Sequence, residues 1–197
     1  AMLRRLVGSE MCIRDSAPAH HRRIQAGILS WGQDLDHEHN PFQCNLGYQV
    51  SLSGKGEWEK KGDYIGKQAL EKMKADLKDG HKPYKLQLVG FEIGGKPIDE
   101  YAPDFWLVSP GDGGDPCGFI TSPWYHPEKG KNIAMGYIPY DGTLNSNGFP
   151  KWELGKKYKV HLPDIYADEP GVPVDAVTVD VPFTESFNAN TREVVKG

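Results

Sequence analysis

The run Asp34, Asp36, His37, Glu38 and His39 gathers side chains that bind metal ions or move protons. Carboxylate oxygens and imidazole nitrogens are good metal donors, but a site needs them to converge from separate parts of the chain, and no distant further ligand is signalled. Beside Asn40 and Pro41 the run is expected to be a solvated turn, and no metal site is expected. The tryptophans Trp31, Trp58, Trp106, Trp124 and Trp152 are the other chemically suggestive set. They could form a stacking platform for a sugar or heterocycle, yet scattered as they are they are expected mainly in a core or at its rim. There is no GxxxxGK[ST], GxGxxG or GxSxG string, so the phosphate cradle and the nucleophile elbow are both absent. Cys12, Cys44 and Cys117 are odd in number and widely spaced. Neither a disulfide framework nor a zinc site follows, and a reducing cytoplasm fits best.

The elements that must position these residues divide the chain in two. In "GDYIGKQALEKMKADLKDG", Ala69, Leu70, Met73 and Leu77 share one face at helical spacing, and Gly80 and Pro83 end the run. After Pro83 the text becomes strand-like. "YKLQLVGFEI" (84–93), "DFWLV" (104–108), "CGFITS" (117–122), "NIAMGYI" (132–138), "KYKVHL" (157–162) and "AVTVDVPF" (176–183) are separated by Gly, Pro, Asp and Asn. The expected fold is an α+β segment followed by an all-β, antiparallel barrel or jelly-roll domain. In the last strand the alternation predicts Val177, Val179 and Val181 facing the core and Thr178 and Asp180 facing out. The boundary is expected near residue 82, giving units of 17–82 and 83–187 and a surface tail over 188–197.

At 197 residues, one domain and a partial second can be accommodated. With 23 basic and 27 acidic side chains the net charge is -4. That balance supplies no field for nucleic acid or anionic lipid, and no apolar run approaches the ~20 residues of a membrane span. The opening "MLRRLVGSEMCIRDS" has basic and apolar residues, but Glu10 and Asp15 are wrong for a transit peptide and no signal-type apolar core follows. It resembles a sequencing-adapter read translated in frame with an environmental fragment. Residues 1–16 are accordingly expected to be non-native.

The stretch "RRIQAGILSWGQDLDHEHNPFQCNLGYQV", followed by "KGDYIGKQAL", "KLQLVGFEI", "GFITSPWYHPEKGKNIAMGYIP" and "AVTVDVPF", resembles the folate-dependent aminomethyltransferases of the glycine cleavage system, the T-proteins. Their pattern runs R-x-E-A-G, an aromatic-Gly-x-D/E, a proline, L/M-G-W/Y, D-F-I-G-x-x-A-L, and a barrel signature with T-S and I-A-M-x-Y-V-P. The first stretch is also similar to the dimethylsulfoniopropionate demethylases, which share the fold and pass a methyl group to tetrahydrofolate. Related C-terminal regions occur in dimethylglycine and sarcosine dehydrogenases.

The resemblance implies a cloverleaf parent enzyme whose folate lobes and barrel surround a channel for tetrahydrofolate, with this chain holding the end of the folate region and the whole barrel. It implies Arg23, Trp31 and Trp124 as cofactor contacts. Arg23 sits at the motif arginine, Trp31 at the tyrosine before the glycine, and Ser122, Trp124 and Tyr125 after the T-S pair at the channel mouth. Gln25 stands where the family has glutamate and Pro123 where it has glycine. The family's catalytic aspartate and pterin-binding glutamate belong before residue 17, so no catalytic residue is assigned, and the chain is expected neither to turn over nor to bind folate tightly. A small one-carbon donor, and for the parent enzyme a lipoyl carrier protein, are the implied partners. Self-association through the face left uncovered is expected. The rival reading is a free-standing β-barrel module whose tryptophans hold a small ligand.

Overall fold

The computed structural model describes residues 20–50, 52 and 64–183. The non-native reading of residues 1–16, the start at Ala17, Cys12, Trp58 and the tail 188–197 lie outside the described residues.

Six antiparallel strands close into a barrel: β1 (Leu86–Ile93), β2 (Trp106–Pro110), β3 (Gly118–His126), β4 (Lys131–Pro139), β5 (Lys157–Val160) and β6 (Val174–Val179). Their order around the barrel is β1-β4-β3-β2-β5-β6, and β6 returns to β1. Closure removes every free strand edge, so the sheet presents no unpaired ladder for another chain. Each strand expected from the sequence is present, with ends shifted: β3 runs four residues past the expected stop at 122, and β6 begins and ends earlier than 176–183.

Alternation along β1 and β4 separates two cores. Val89, Phe91 and Ile93 join Ala134, Ile138, Val160 and Ala176 inside the barrel. The intervening Leu88, with Ile133, Met135 and Tyr137, faces outward and is buried by Ile24, Trp124 and Phe183. β1 and β4 are therefore apolar on both faces, and the chain on either side of the barrel supplies the outer cover.

This double burial corrects the expected phase of β6. Val174, Ala176 and Thr178 are its buried positions, while Val177 and Val179 are only half-buried. Val179 and Val181 pack on the outer core instead. The Thr178 hydroxyl, placed inward, donates to Glu153 O at 2.6 Å and accepts from Lys156 N–H at 3.0 Å, which makes a polar side chain tolerable there.

Helix α1 (Lys67–Lys78) follows Gly66, whose φ of 91° only glycine adopts cheaply. Leu70, Met73 and Leu77 pack on Phe42, Tyr84 and Tyr140 at one end of the barrel. Ala69, expected on that face, is exposed. Among the described residues no helix is long and apolar enough to cross a membrane.

Candidate functional site: a buried arginine–carboxylate joint

The string "RIQAG" (23–27) becomes the end of a helical turn and its stop. Residues 20–25 are helical. Gly27 takes φ 68°, its N–H bonds Ile24 O at 2.9 Å, and Ile28 N–H bonds Arg23 O at 2.7 Å, the paired bonds of a Schellman stop. A Cβ on Gly27 would stand 2.3 Å from Val181 Cγ1. Glycine is thus required twice, for its backbone angle and for the closeness of the chain that follows β6.

That stop aims three consecutive side chains differently. Ile24 enters the outer core, and Gln25 Nε2 lies 3.0 Å from His126 Nε2. Arg23 spreads its guanidinium over the following loop. Nε donates to His20 Nδ1 at 3.3 Å, Nη1 to Asp34 Oδ2 at 2.7 Å and Ile28 O at 3.3 Å, and Nη2 to Gln33 Oε1 at 2.9 Å and Ser122 Oγ at 2.8 Å. A guanidinium has five N–H groups. All are engaged within the chain, so the geometry uses Arg23 as an internal clamp and leaves no N–H to fork onto a ligand carboxylate.

Asp34 is the counterpart. Its side chain is fully buried, and besides Arg23 its Oδ2 accepts the Ser30 N–H at 2.8 Å. Oδ1 accepts the hydroxyls of Thr121 and Ser122, each at 2.5 Å. Four donors on one carboxylate offset the cost of burying it. The two hydroxyls reach the same oxygen because β3 is irregular there: Ile120 pairs with Gly136, but Ser122 pairs with Met135, so Thr121 is an extra residue. In a regular strand neighbours point to opposite faces; the bulge re-aims one of them.

The expectation of a solvated turn over 34–39 is therefore corrected for Asp34, which leaves the run and turns inward. Of the rest of the run, His39 packs its ring against Tyr137 of β4, centroids 5.1 Å apart, and the bonds of Asp36 are local. Asp36 Oδ1 accepts the Glu38 N–H at 2.8 Å and lies 2.8 Å from His39 Nδ1, and these contacts hold its carboxyl below the usual range. Among the described residues no group of three or more His, Cys, Asp and Glu is placed to hold a metal.

Tyr137 and Gln33 fix the loop to the barrel. Tyr137 Oη donates to Asp34 O at 2.6 Å and lies 3.4 Å from Cys44 Sγ. With its proton given to the carbonyl, the phenol accepts from the thiol. Burial pushes the Cys44 thiol above its ordinary pKa and the Tyr137 phenol well above its own, so neither ionises at neutral pH. Gln33 Nε2 donates to Thr121 O at 2.8 Å, closing the circle.

The other sequence candidates separate. Ser122, expected at a channel mouth, is completely buried in the joint, and Pro123 is buried beside it. Trp124 is 9% exposed and lies nearly parallel to His20, ring centroids 6.2 Å apart, with His20 4.9 Å from Tyr101. Trp31 is 69% exposed. Tyr125 is half-buried, and its N–H bonds Ile98 O. The sequence does not single out Gln33, and its one signal for Thr121 is the place of that residue in the T-S pair.

An aminomethyltransferase of Synechocystis is 32% identical over 140 residues, covering 71% of this chain and 33% of that protein. The dimethylsulfoniopropionate demethylase DmdA of Ruegeria pomeroyi is 29% identical over 158 residues, 80% of this chain and 36% of that protein. The chain belongs to the aminomethyltransferase and DmdA family. No protein-family model matches the chain. The crystal structure of the glycine cleavage system aminomethyltransferase T from Bartonella henselae superposes with a TM-score of 0.57 at 20% identity, over 84% of this chain and 38% of that one. That likeness establishes a shared fold. The chain spans about a third of the length of the curated proteins it matches.

Proposed function

We propose that this chain is the barrel-bearing third of a tetrahydrofolate-dependent one-carbon transferase, of aminomethyltransferase type, and that alone it does not catalyse transfer. The observation that carries the first half is the joint itself. Arg23, Trp31, Asp34 and the Thr121–Ser122 pair come from the stretches that carry the family resemblance, and they weld a loop bearing one exposed indole onto the barrel. Trp31 follows Ser30, whose N–H binds Asp34, so the ring is displayed from a rigid base. A flat pterin needs such a face, a carboxylate for its donor nitrogens and cations for its glutamate tail.

The residues present fit that ligand only in part. The Asp34 oxygens and the Arg23 donors are all used internally, and Trp124 is almost covered. Stacking surface is present, but this joint offers no uncommitted carboxylate or guanidinium. This supports the second half of the proposal: orientation of folate and donor, the main source of rate in such a transfer, falls to residues elsewhere in the parent enzyme. The donor is a small one-carbon molecule or an aminomethyl group on a lipoyl carrier. A demethylase parent is the second reading, since the DmdA match, 29% identical over 80% of this chain, equals in identity an aminomethyltransferase match over 82%.

A chimera tests the proposal. Residues 20–183 replace the matching segment of the Synechocystis aminomethyltransferase, and transfer to tetrahydrofolate is assayed with lipoyl-bound aminomethyl and with dimethylsulfoniopropionate. Retained aminomethyl transfer is expected. A folded chimera inactive with both donors, or transfer at an ordinary enzymatic rate by the chain alone, would overturn it.

A further inference from the structure

A cavity of about 350 Å³ opens between the loop over 42–48 and the segment joining β4 to β5, and shares no lining residue with the Arg23–Asp34 joint. Its walls are aromatic. Phe42 and Phe149 lie nearly parallel, centroids 6.3 Å apart, and Trp152 is fixed by donation from Nε1 to Val179 O at 3.0 Å. Gly47 lets the walls close: a Cβ there would stand 2.7 Å from Phe149 Cδ1.

The amides of Asn45 and Asn147 on this lining each carry a donor and an acceptor, and Asn45 uses both on Leu88 O and Gln87; the remaining polar groups lean toward donation. Asn145 Oδ1 already accepts the N–H groups of Asn147 and Phe149, at 2.9 and 3.0 Å, which fixes the amide and leaves its Nδ2 without a partner among the described residues. Lys151 Nζ has no ion-pair or hydrogen-bond partner among the described residues. Tyr48 Oη accepts from Gln49 Nε2, so its own proton is left to donate. Against these stands one carboxylate, Asp180, an Oδ1 of which accepts the Val181 N–H. Apolar walls with a few converging polar groups are the usual form of a small-molecule site. A donor excess that includes a free ammonium selects an acceptor-rich, anionic ligand.

We infer that this cavity binds a small carboxylate carried on an apolar ring, the ring against Trp152 and Phe42 and the carboxylate toward Lys151 and Asn145. The site is separate from the proposed one-carbon chemistry and stands or falls without it.

The probe is benzoate, titrated into the full chain and followed by NMR at the Trp152 indole and the Asn145 side-chain amide, with benzamide as the uncharged isostere. Saturable shifts at both groups are expected, with benzamide binding about tenfold more weakly. Lys151 is exposed, so Lys151→Met leaves the fold intact; it is expected to weaken benzoate about tenfold and leave benzamide unchanged, while Lys151→Arg keeps benzoate binding. The absence of saturable shifts up to tens of millimolar benzoate overturns the inference. So does equal binding of benzamide and benzoate, or indifference of benzoate to Lys151→Met.

Discussion

At the scale of single residues, Asp34 is the side chain on which most depends. Removing one partner of a buried ion pair leaves the other charge uncompensated, a loss of about 3–5 kcal/mol, whereas deleting one hydroxyl that binds the pair costs about 1–3 kcal/mol. Asp34→Ala is therefore expected to lower unfolding free energy in urea by the larger amount and Ser122→Ala by the smaller. Asp36→Ala, at the solvent-facing end of the same acidic run, should change it little. Equal effects for Asp34 and Asp36 would mean that the inward turn of Asp34 is wrong. Two imidazoles, the buried His126 and the half-buried His20, give a pH signature. Burial first, then the neighbouring His21, holds His126 below its ordinary 6.5, and burial with Arg23 does the same for His20. The unfolded chain then binds more protons than the folded one, so stability is complete above pH 6.5 and is lost as pH falls from 6.5 toward the lower folded values. Glu92 adds to the loss further down. Burial raises its pKa, but Lys131 and Lys129 outweigh that and hold it below its ordinary range, so its contribution disappears as acid reaches that range. Thermal unfolding between pH 7 and 5 should show a falling Tm, with a shallower fall in His126→Gln; an unchanged slope in that variant would remove His126 from the account.

At the scale of elements, the Schellman stop and the bulge are the two devices that assemble the joint. Gly27 and Gly32 both have positive φ, 68° and 81°, but a Cβ meets Val181 at 2.3 Å in the first case and nothing within 4 Å in the second. Alanine at Gly32 should cost about 1 kcal/mol from backbone strain alone. Alanine at Gly27 adds overpacking, about 1–3 kcal/mol more, because it must displace the chain after β6. A comparison of the two melting temperatures checks this, and parity would show that the Gly27–Val181 contact yields freely. These same devices mark the limit of what the chain's text reveals. The six strands are legible because β-branched runs alternate between Gly, Pro and Asn clusters. The helix at Lys67–Lys78 is legible from Leu70, Met73 and Leu77. The phase of β6 is misread because Thr178 carries its hydroxyl into a polar niche while Val179 and Val181 serve the outer core, so hydrophobicity no longer separates in from out. The partners of Asp34 are invisible for a different reason: they lie 87 and 88 residues away, and the extra residue in β3 that brings both hydroxyls to one side leaves no periodic trace.

At the scale of the whole molecule, the question is what covers the outer face. The strand edges need nothing, since closure leaves none open, and Ile24, Trp124 and Phe183 cover the outward apolar side chains of β1 and β4. The loops that cover β3 and β4 are another matter. Ile28, Trp31 and Tyr101 are 60%, 69% and 53% exposed, and they belong to one neighbourhood: Tyr101 contacts His20, Gln33 approaches Ala102 O at 3.4 Å, and Ile28 O is bound by Arg23. Large apolar side chains clustered in this way promote association. We propose that the chain self-associates through this face. The driving force is burial of apolar surface, roughly 25 cal/mol per Å², so one fully covered indole or phenol ring contributes about 1.5–3 kcal/mol. A self-complementary patch counts each residue twice in a two-fold dimer. Replacing Trp31 by Asp should then weaken the assembly at least tenfold without touching the joint, since the Trp31 side chain makes no bond to Arg23 or Asp34. Sedimentation at rising concentration is expected to show a reversible dimer for the parent chain and a shift toward monomer for Trp31→Asp. The benzoate cavity supplies an internal control, because Lys151→Met lies on a different part of the surface and should leave the association constant where it was. A parent chain that sediments as a monomer at all concentrations would sink the proposal and leave the exposed indole to a ligand.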